Sequence, residues 1–254
     1  MGILEQLIYT LLAYINNSLE KDINYSIANS FLENIHHIEG YSLEMAAEVC
    51  NVAPSTINRF CKRIGFRNFS NLRNSVAFQG GMYEANEKHL SAATFEAKLK
   101  ENIEIMENIS KEQMERIIKK IYESKRIVIL GFEKHQIQAM ELQKQLFLLG
   151  KLCECNTNFF KQLETVSHLT EEDMIITISI EGNILTEALA INERIKAANG
   201  KKLLITFSDP EQHKYVFDEV LHCGKIENSA VSSYTLLRLF DILIYHYQKQ
   251  YISY

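Results

Sequence analysis

The chain has 254 residues, 46% of them hydrophobic and 23% charged, which is enough apolar material for a folded core of more than one typical domain and excludes wholesale disorder. No run reaches the roughly 18 uninterrupted apolar residues that a membrane span requires, and the apolar start carries Glu5 with no base before it, so no export signal is expected either. The net charge of −5 hides a segregation: the acids of residues 1–83 all lie at or before Glu48, whereas Val49–Tyr83 holds Arg59, Lys62, Arg63, Arg67 and Arg73 and no acid. One acid-free basic window in an acidic chain points to a confined polyanion-binding face rather than to general coating of nucleic acid. The five cysteines, Cys50, Cys61, Cys153, Cys155 and Cys223, are odd in number and scattered, which argues against a disulfide framework and for a reducing cytoplasm.

In chain order, Ile3, Leu4, Leu7, Ile8, Leu11, Leu12 and Ile15 repeat at helical spacing, and Ile23, Ile27, Phe31 and Ile35 form a second stripe. Gly40 breaks the pattern. Ser42 is placed to cap a third helix whose buried face is read as Met45, Ala46 and Val49. Pro54 suits the first position of a fourth helix that ends near Ile64 with Gly65 as its C′ residue. A fifth helix is expected over about 69–78, and Gly80-Gly81 marks a linker. Beyond it, helices are expected near 93–108 and 111–123, and then strands alternate with helices. Arg126–Leu130, Asp173–Ile178 and Lys201–Phe207 read as buried parallel strands, Lys151–Cys155 as a weak strand and Val216–Cys223 as an edge strand. Helices are expected between them at 135–149, 158–168 and 184–198, and a long final helix over about 228–250. The fold class expected is two domains: an all-α helix-turn-helix bundle over 1–79, a linker over 80–92, and an α/β domain over 93–254 with a five-stranded parallel sheet flanked by helices.

The segment Tyr41–Gly65 has the pattern of a helix-turn-helix. Ala46 and Ala47 are small where two helices approach, Val52 sits in the turn, and Ile57, Phe60, Cys61 and Ile64 share one apolar face at i, i+3, i+4, i+7. The opposite face carries Ser55, Thr56, Asn58, Arg59, Lys62 and Arg63. Inserted N-terminus first into a major groove, it would offer Arg to guanine, Asn to adenine and hydroxyls to phosphates. Ser42 and Arg67 are added as flanking phosphate contacts. The run Ser42-Leu…Ala46-Ala…Val52-Ala-Pro-Ser-Thr-Ile57, followed by Arg59-Phe-Cys-Lys-Arg-Ile-Gly-Phe66, Phe69, Leu72 and Arg73, resembles the N-terminal domain of the RpiR family of bacterial transcription regulators. The resemblance implies a following sugar-isomerase-type (SIS) domain that binds phosphosugars. The partners expected are a double-stranded DNA operator, a sugar phosphate effector and, because one helix-turn-helix has a small footprint, a second copy in a homodimer or higher homo-oligomer. No membrane partner, cofactor, metal or catalytic residue is expected.

In that family the phosphate sits at the C-terminal ends of the strands on loop amides, hydroxyls and helix N-termini. The family's first loop, Gly-x-Gly-x-Ser, stands here as Gly131-Phe-Glu133-Lys134-His135. Its second, Ser-x-Ser-Gly-x-Thr, stands as Ser179-Ile-Glu181-Gly182-Asn183-Ile184, and Ser208 follows the third strong strand. Glu133 and Glu181 would repel a phosphate dianion, while Lys134 and His135 would attract it. Two readings of the ligand set Gly131, Lys134, His135, Ser179, Glu181, Gly182, Asn183 and Ser208 therefore stand side by side: a pocket retuned to an altered sugar phosphate, or a domain that only dimerises. A third, a phosphosugar isomerase, lacks a clear acid/base pair.

Smaller features read as structural. Cys153-x-Cys155 is two ligands and not a zinc site. His36-His37 sits at a helix end, Glu227 balances a helix N-terminus, and the tyrosine-rich tail packs within the chain or on a partner.

Overall fold

The structure is a computed structural model that describes residues 2–77, 90–131, 135–157, 159–182, 189–226 and 228–252. It divides into two compact units, Met1–Tyr83 with Thr157–Gln162, and Glu84–Asn156 with Leu163–Tyr254. Residues 80–89 of the expected linker, together with Lys134, Asn183 and Glu227, lie outside the described residues.

The first unit contains α1 (Gly2–Asn17), α2 (Ile23–Glu33), a 3-10 turn at Ile38–Gly40, α3 (Leu43–Val49), α4 (Pro54–Arg63) and α5 (Phe69–Ala77). Asp22 caps α2 by accepting from the N–H groups of Asn24 and Tyr25 at 3.0 and 2.8 Å, and these bonds hold its carboxyl below the usual range. Leu7, Leu11, Ile27, Phe31, Ile57, Phe60, Phe69 and Leu72 form the core. Phe60 sits edge-on to Tyr14 and Phe31, with ring centroids 5.6 and 5.9 Å away. One expectation fails here. Met45 and Val49 are exposed, and the buried face of α3 is Ala46 and Ala47 with Leu43 beside them. The sequence pattern had grouped residues at mixed spacing, and the 3.6-residue period puts 43, 46, 47 and 50 on one side and 45 and 49 on the other.

From residue 84 on, the chain runs α6 (Ala92–Glu107), α7 (Lys111–Glu123), β1 (Ile127–Gly131), α8 (Gln136–Leu148), β2 (Cys153–Glu154), α9 (Phe159–Val166), β3 (Met174–Ile178), α10 (Leu189–Ala197), β4 (Lys201–Thr206), a 3-10 turn at Pro210–Gln212, β5 (Glu219–His222) and α11 (Ser229–Tyr251), all in the second unit except the part of α9 up to Gln162. All neighbouring strands pair parallel, in the order β2-β1-β3-β4-β5. The five-stranded parallel sheet flanked by helices is the one expected. Ile127, Ile129, Met174, Ile176, Ile178, Leu203 and Ile205 pack with Ile117, Ile121, Leu142, Leu146, Leu239 and Leu243 from the helices into one core. Strands this apolar on both faces are what a covered parallel sheet requires.

The expected edge strand shortens to Glu219–His222. Glu219 is almost fully buried there. Burial alone would raise its pKa, but bonds from Arg116 (3.0 Å) and Lys120 (2.8 Å) outweigh it and hold the carboxyl below the usual range. Two of the tail tyrosines pack within the unit: Tyr251 stacks on Tyr122 with centroids 3.8 Å apart, and Tyr247 is buried beside them, whereas Tyr245 is exposed and Tyr254 lies outside the described residues.

Candidate functional site

The basic face of the first unit is built by two helix ends of the same kind. At the end of α3, Asn51 adopts a left-handed conformation (φ 52°) while Val52 N–H reaches Ala47 O at 2.9 Å and Asn51 N–H reaches Glu48 O at 3.0 Å. At the end of α4, Gly65 (φ 95°) repeats it, with Phe66 N–H on Cys61 O at 2.8 Å and Gly65 N–H on Lys62 O at 3.2 Å. Both are Schellman motifs. The first makes the turn between the two helices and drops Val52 against the core. The second drops Phe66 into it.

This frame fixes which residues of α4 face outward. Ser55, Arg59, Lys62 and Arg63 are exposed, as is Arg67 just beyond the helix, and Thr56 is half-buried. Ala53, the N-cap of α4, supplies no side-chain bond, and the first turn holds no acid. The N-terminal N–H groups and the positive end of the helix dipole are therefore not neutralised by a side chain, which suits an approaching phosphate. Ser42 also spends its oxygen locally, accepting from Met45 N–H at 3.1 Å to cap α3, which leaves its hydroxyl proton available.

Asn58 also serves the bundle. Its Oδ1 accepts from Phe69 N–H at 2.9 Å and so caps α5. This bond orients Asn58 and engages one of the two lone pairs that an amide oxygen offers. Arg73, part of the basic window, donates to Tyr41 O at 3.3 Å and is likewise turned to structure.

The second candidate site lies at the C-terminal edge of the sheet. Register puts Gly131 beside Ile178 and Ile178 beside Ile205, so the loops leaving β1, β3 and β4 start at one level. Strand order reverses between β1 and β3, the position at which open parallel sheets bind ligands.

The residues there do the following. Gly131 is glycine for packing: a Cβ would lie 2.6 Å from Ala139 Cβ and 3.0 Å from Gln136 Cα at the start of α8. His135 is wholly buried as the residue before α8 and makes no capping bond to that helix. Ser179 is 1% exposed and its hydroxyl has no hydrogen-bond partner among the described residues, and the same is true of Thr177 two residues earlier on the same face of β3. Glu181 is half-buried, and Gly182 holds φ 72°.

Ser208 is bonded locally. Thr206 donates its only hydroxyl proton to Ile180 O (3.1 Å), so the 2.8 Å contact between Thr206 and Ser208 requires Ser208 to be the donor. Ser208 is also 3.0 Å from Nε2 of His213, which donates to it in the Nε2–H tautomer. In this arrangement the Ser208 proton is directed at Thr206. A Cβ on Gly182 would lie 2.8 Å from Ser208 Oγ and 3.0 Å from His213 Nε2, so this chain of bonds packs directly under Gly182. His213 is buried and its pKa is lowered, burial outweighing the opposite pull of Asp209. The sequence reading missed Thr177, Thr206 and His213. Only the period-two spacing of Thr177 and Ser179 could have signalled the first.

Among the described residues no group of three His, Cys, Asp or Glu side chains could hold a metal ion. Burial pushes the Cys153 and Cys155 thiols up to about 12, which suits packing and not nucleophilic chemistry. No helix among the described residues is long and apolar enough to cross a membrane.

Residues 9–79 match the helix-turn-helix domain of the rpiR family. The chain is 23% identical over 195 residues to an uncharacterized HTH-type transcriptional regulator in the aarA 3′ region of Providencia stuartii, covering 71% of this chain and 67% of that protein. It is 22% identical over 170 residues to another HTH-type transcriptional regulator, from Haemophilus influenzae, covering 61% of this chain and 59% of that one. In fold it is similar to the Vibrio vulnificus NanR protein complexed with ManNAc-6P, at TM-score 0.54 and 17% identity over 96% of this chain and 92% of that one. The sugar isomerase domain of the RpiR transcription factor from Sphaerobacter thermophilus is similar at TM-score 0.53 and 16% identity, over 62% of this chain and 89% of that one.

Proposed function

We propose that the chain, whose residues 9–79 match the helix-turn-helix domain of the rpiR family, is a bacterial transcription regulator that binds operator DNA and answers to a phosphosugar. The observation that carries the reading is the outward face of α4: an N-terminus without a side-chain cap, hydroxyls at Ser55 and Thr56, and Arg59, Lys62 and Arg63 with no acid among them. Ser55, Thr56 and Arg59 meet base edges or the nearest phosphates. Ser42, Lys62, Arg63 and Arg67 hold the backbone on either side. The assigned parts are DNA binding in 1–79, a linker over 80–92 and effector binding in 93–254.

A single helix-turn-helix has a small footprint, so the regulator acts as a homodimer on a two-fold site, with the SIS-type domain favouring one arrangement of the DNA-binding domains when its ligand is present. The NanR protein with a similar fold is complexed with ManNAc-6P. A sugar phosphate is the ligand class we assign here. Gly131, His135, Ser179 and Gly182 are assigned to it, with Lys134 and Asn183 carried as candidates from the sequence alone, and Glu181 is assigned to a sugar hydroxyl or amino group. The buried, unpartnered hydroxyl of Ser179 supports a ligand that is retained rather than lost. Its regulator-named relatives favour a binding domain over an isomerase, and the protein acts in the cytoplasm.

Thermal unfolding against sugar phosphates and amino-sugar phosphates tests the effector half. A ligand at a hundred times its dissociation constant adds about 2.7 kcal/mol. A response that Ser179→Ala abolishes supports the site. A flat panel leaves a domain that only dimerises.

A further inference from the structure

α8 is apolar on both sides. Ala139, Leu142 and Leu146 pack into the sheet core, while Ile137 (58% exposed), Met140 (44%), Phe147 (61%) and Leu148 (72%) form a second stripe that faces solvent. Leu152, in the loop after the helix, is 74% exposed and extends the stripe beside an open groove of about 560 Å³ that Ile137, Met140, Phe147 and Leu152 also line. Scattered exposed leucines are ordinary, but a contiguous stripe at 137, 140, 147 and 148 has the i, i+3, i+10, i+11 spacing of a helix-packing seam.

The charges inside the stripe select its occupant. Glu141 and Lys144 interrupt it at its middle, bonded to each other, and Gln145 donates to the other Glu141 oxygen at 3.1 Å. Apolar residues flank this pair on both sides. Such an arrangement is its own complement under a two-fold rotation: antiparallel packing brings each Glu141 to the second copy's Lys144. It also lays Ile137 and Met140 over the second copy's Phe147 and Leu148. The four charges then alternate in sign around the axis, and the apolar flanks close over them. A peptide or another protein would have to reproduce this symmetry by accident.

We propose that the exposed face of α8 is the self-association surface of the protein, packing antiparallel against α8 of a second copy. The inference rests on the dimeric reading above and names its surface. A helix of 13 residues, roughly 20 Å long, makes only part of an interface, and Leu152 extends it beyond the helix end.

Charge reversal tests it on the full chain. Glu141→Lys alone places four positive charges at the axis, and Lys144→Glu alone places four negative ones. By sedimentation each variant is expected to weaken the dimer about tenfold or more, with its thermal midpoint at low concentration close to that of the parent. Mixed in equal amounts, the two restore a heterodimer, because each now faces its opposite. Phe147→Asp, at an exposed position, gives monomer. Dimers that ignore both reversals and show no preference for mixing overturn this surface and leave the dimeric reading standing. A parent protein that sediments as a monomer at tens of micromolar overturns both.

Discussion

The turn between α3 and α4 and the loops at the sheet edge both serve a site, but they are held in different ways. In the turn and at the outer ends of the two helices, each bond joins residues a few positions apart: Val52 N–H to Ala47 O, Phe66 N–H to Cys61 O, Met45 N–H to Ser42 Oγ. The outward set of α4 follows directly from the period of the helix. At the sheet edge, Ile180 from the loop after β3 meets Thr206 at the end of β4 and Ser208 and His213 in the segment that follows it, and together they direct the hydroxyl protons. A site made within one supersecondary element is determined locally. A site made from several strand ends is determined by a network.

The largest break of this contrast is Phe60→Ala. It empties the aromatic cluster with Tyr14 and Phe31 and is expected to cost about 3–5 kcal/mol. In calorimetry the transition of the helical unit should be lost and DNA binding with it, while the transition of the sheet unit persists. Loss of both transitions together would sink the division into two units. Next in size, Arg59→Ala with Lys62→Ala leaves the fold intact, since both side chains are exposed. It is expected to weaken operator binding about 10–100-fold and to lower the slope of log K against log salt by about 2. Anisotropy titrations at several salt concentrations measure both, and unchanged affinity would remove α4 from the interface.

The legibility of the chain divides along the same line. Three helix ends were readable from a local residue: Ser42, Pro54 and Gly65 stand at the cap, first turn and C′ position they suggest, whereas the equally local Asp22 cap and Asn51 C′ residue were not singled out. The parallel strands were readable because an apolar run between turn residues has few alternatives in a chain that alternates with helices. What the pattern did not show depended on partners elsewhere in the chain or on fine phase. The tie from Asn58 to Phe69, in the next helix, is invisible in the helical pattern. The bonds that join Ser208 to Thr206 and His213 are equally invisible in the loop sequence. Met45 and Val49 were misplaced by one helical position, enough to exchange core for solvent. The hydroxyl of Thr177 leaves little trace at all, because a strand residue's burial is set by what covers the sheet, whereas Ser179 was legible through the loop motif it opens.

Within the sheet edge the contrast is sharpened by Gly182→Ala. Its φ of 72° strains any side chain, and the new Cβ presses on Ser208 Oγ and His213 Nε2. The expected cost is about 1–2 kcal/mol in the sheet unit and nothing in the helical unit. A variant as stable as the parent would show that the Ser208–His213 contact under Gly182 is loose.

The smallest effect isolates His213. Burial lowers its pKa in the folded state below the value it has when unfolded. Between those two values the unfolded chain binds more protons than the folded one. Its contribution to stability is therefore complete above the unfolded value, near 6.5, and is lost as the pH falls below it toward the folded pKa. Glu219, whose folded pKa is also lowered, loses its contribution only at lower pH, in the carboxylate range, so the two titrations separate. From pH 7.5 to 5.5 the midpoint of the sheet unit should fall by roughly a few degrees at most. In His213→Gln the dependence over that interval should flatten, since glutamine does not titrate but can still donate to Ser208. Persistence of the slope in that variant would assign it to another group and would remove the proton chain from Thr206 to His213 as the element that fixes this loop.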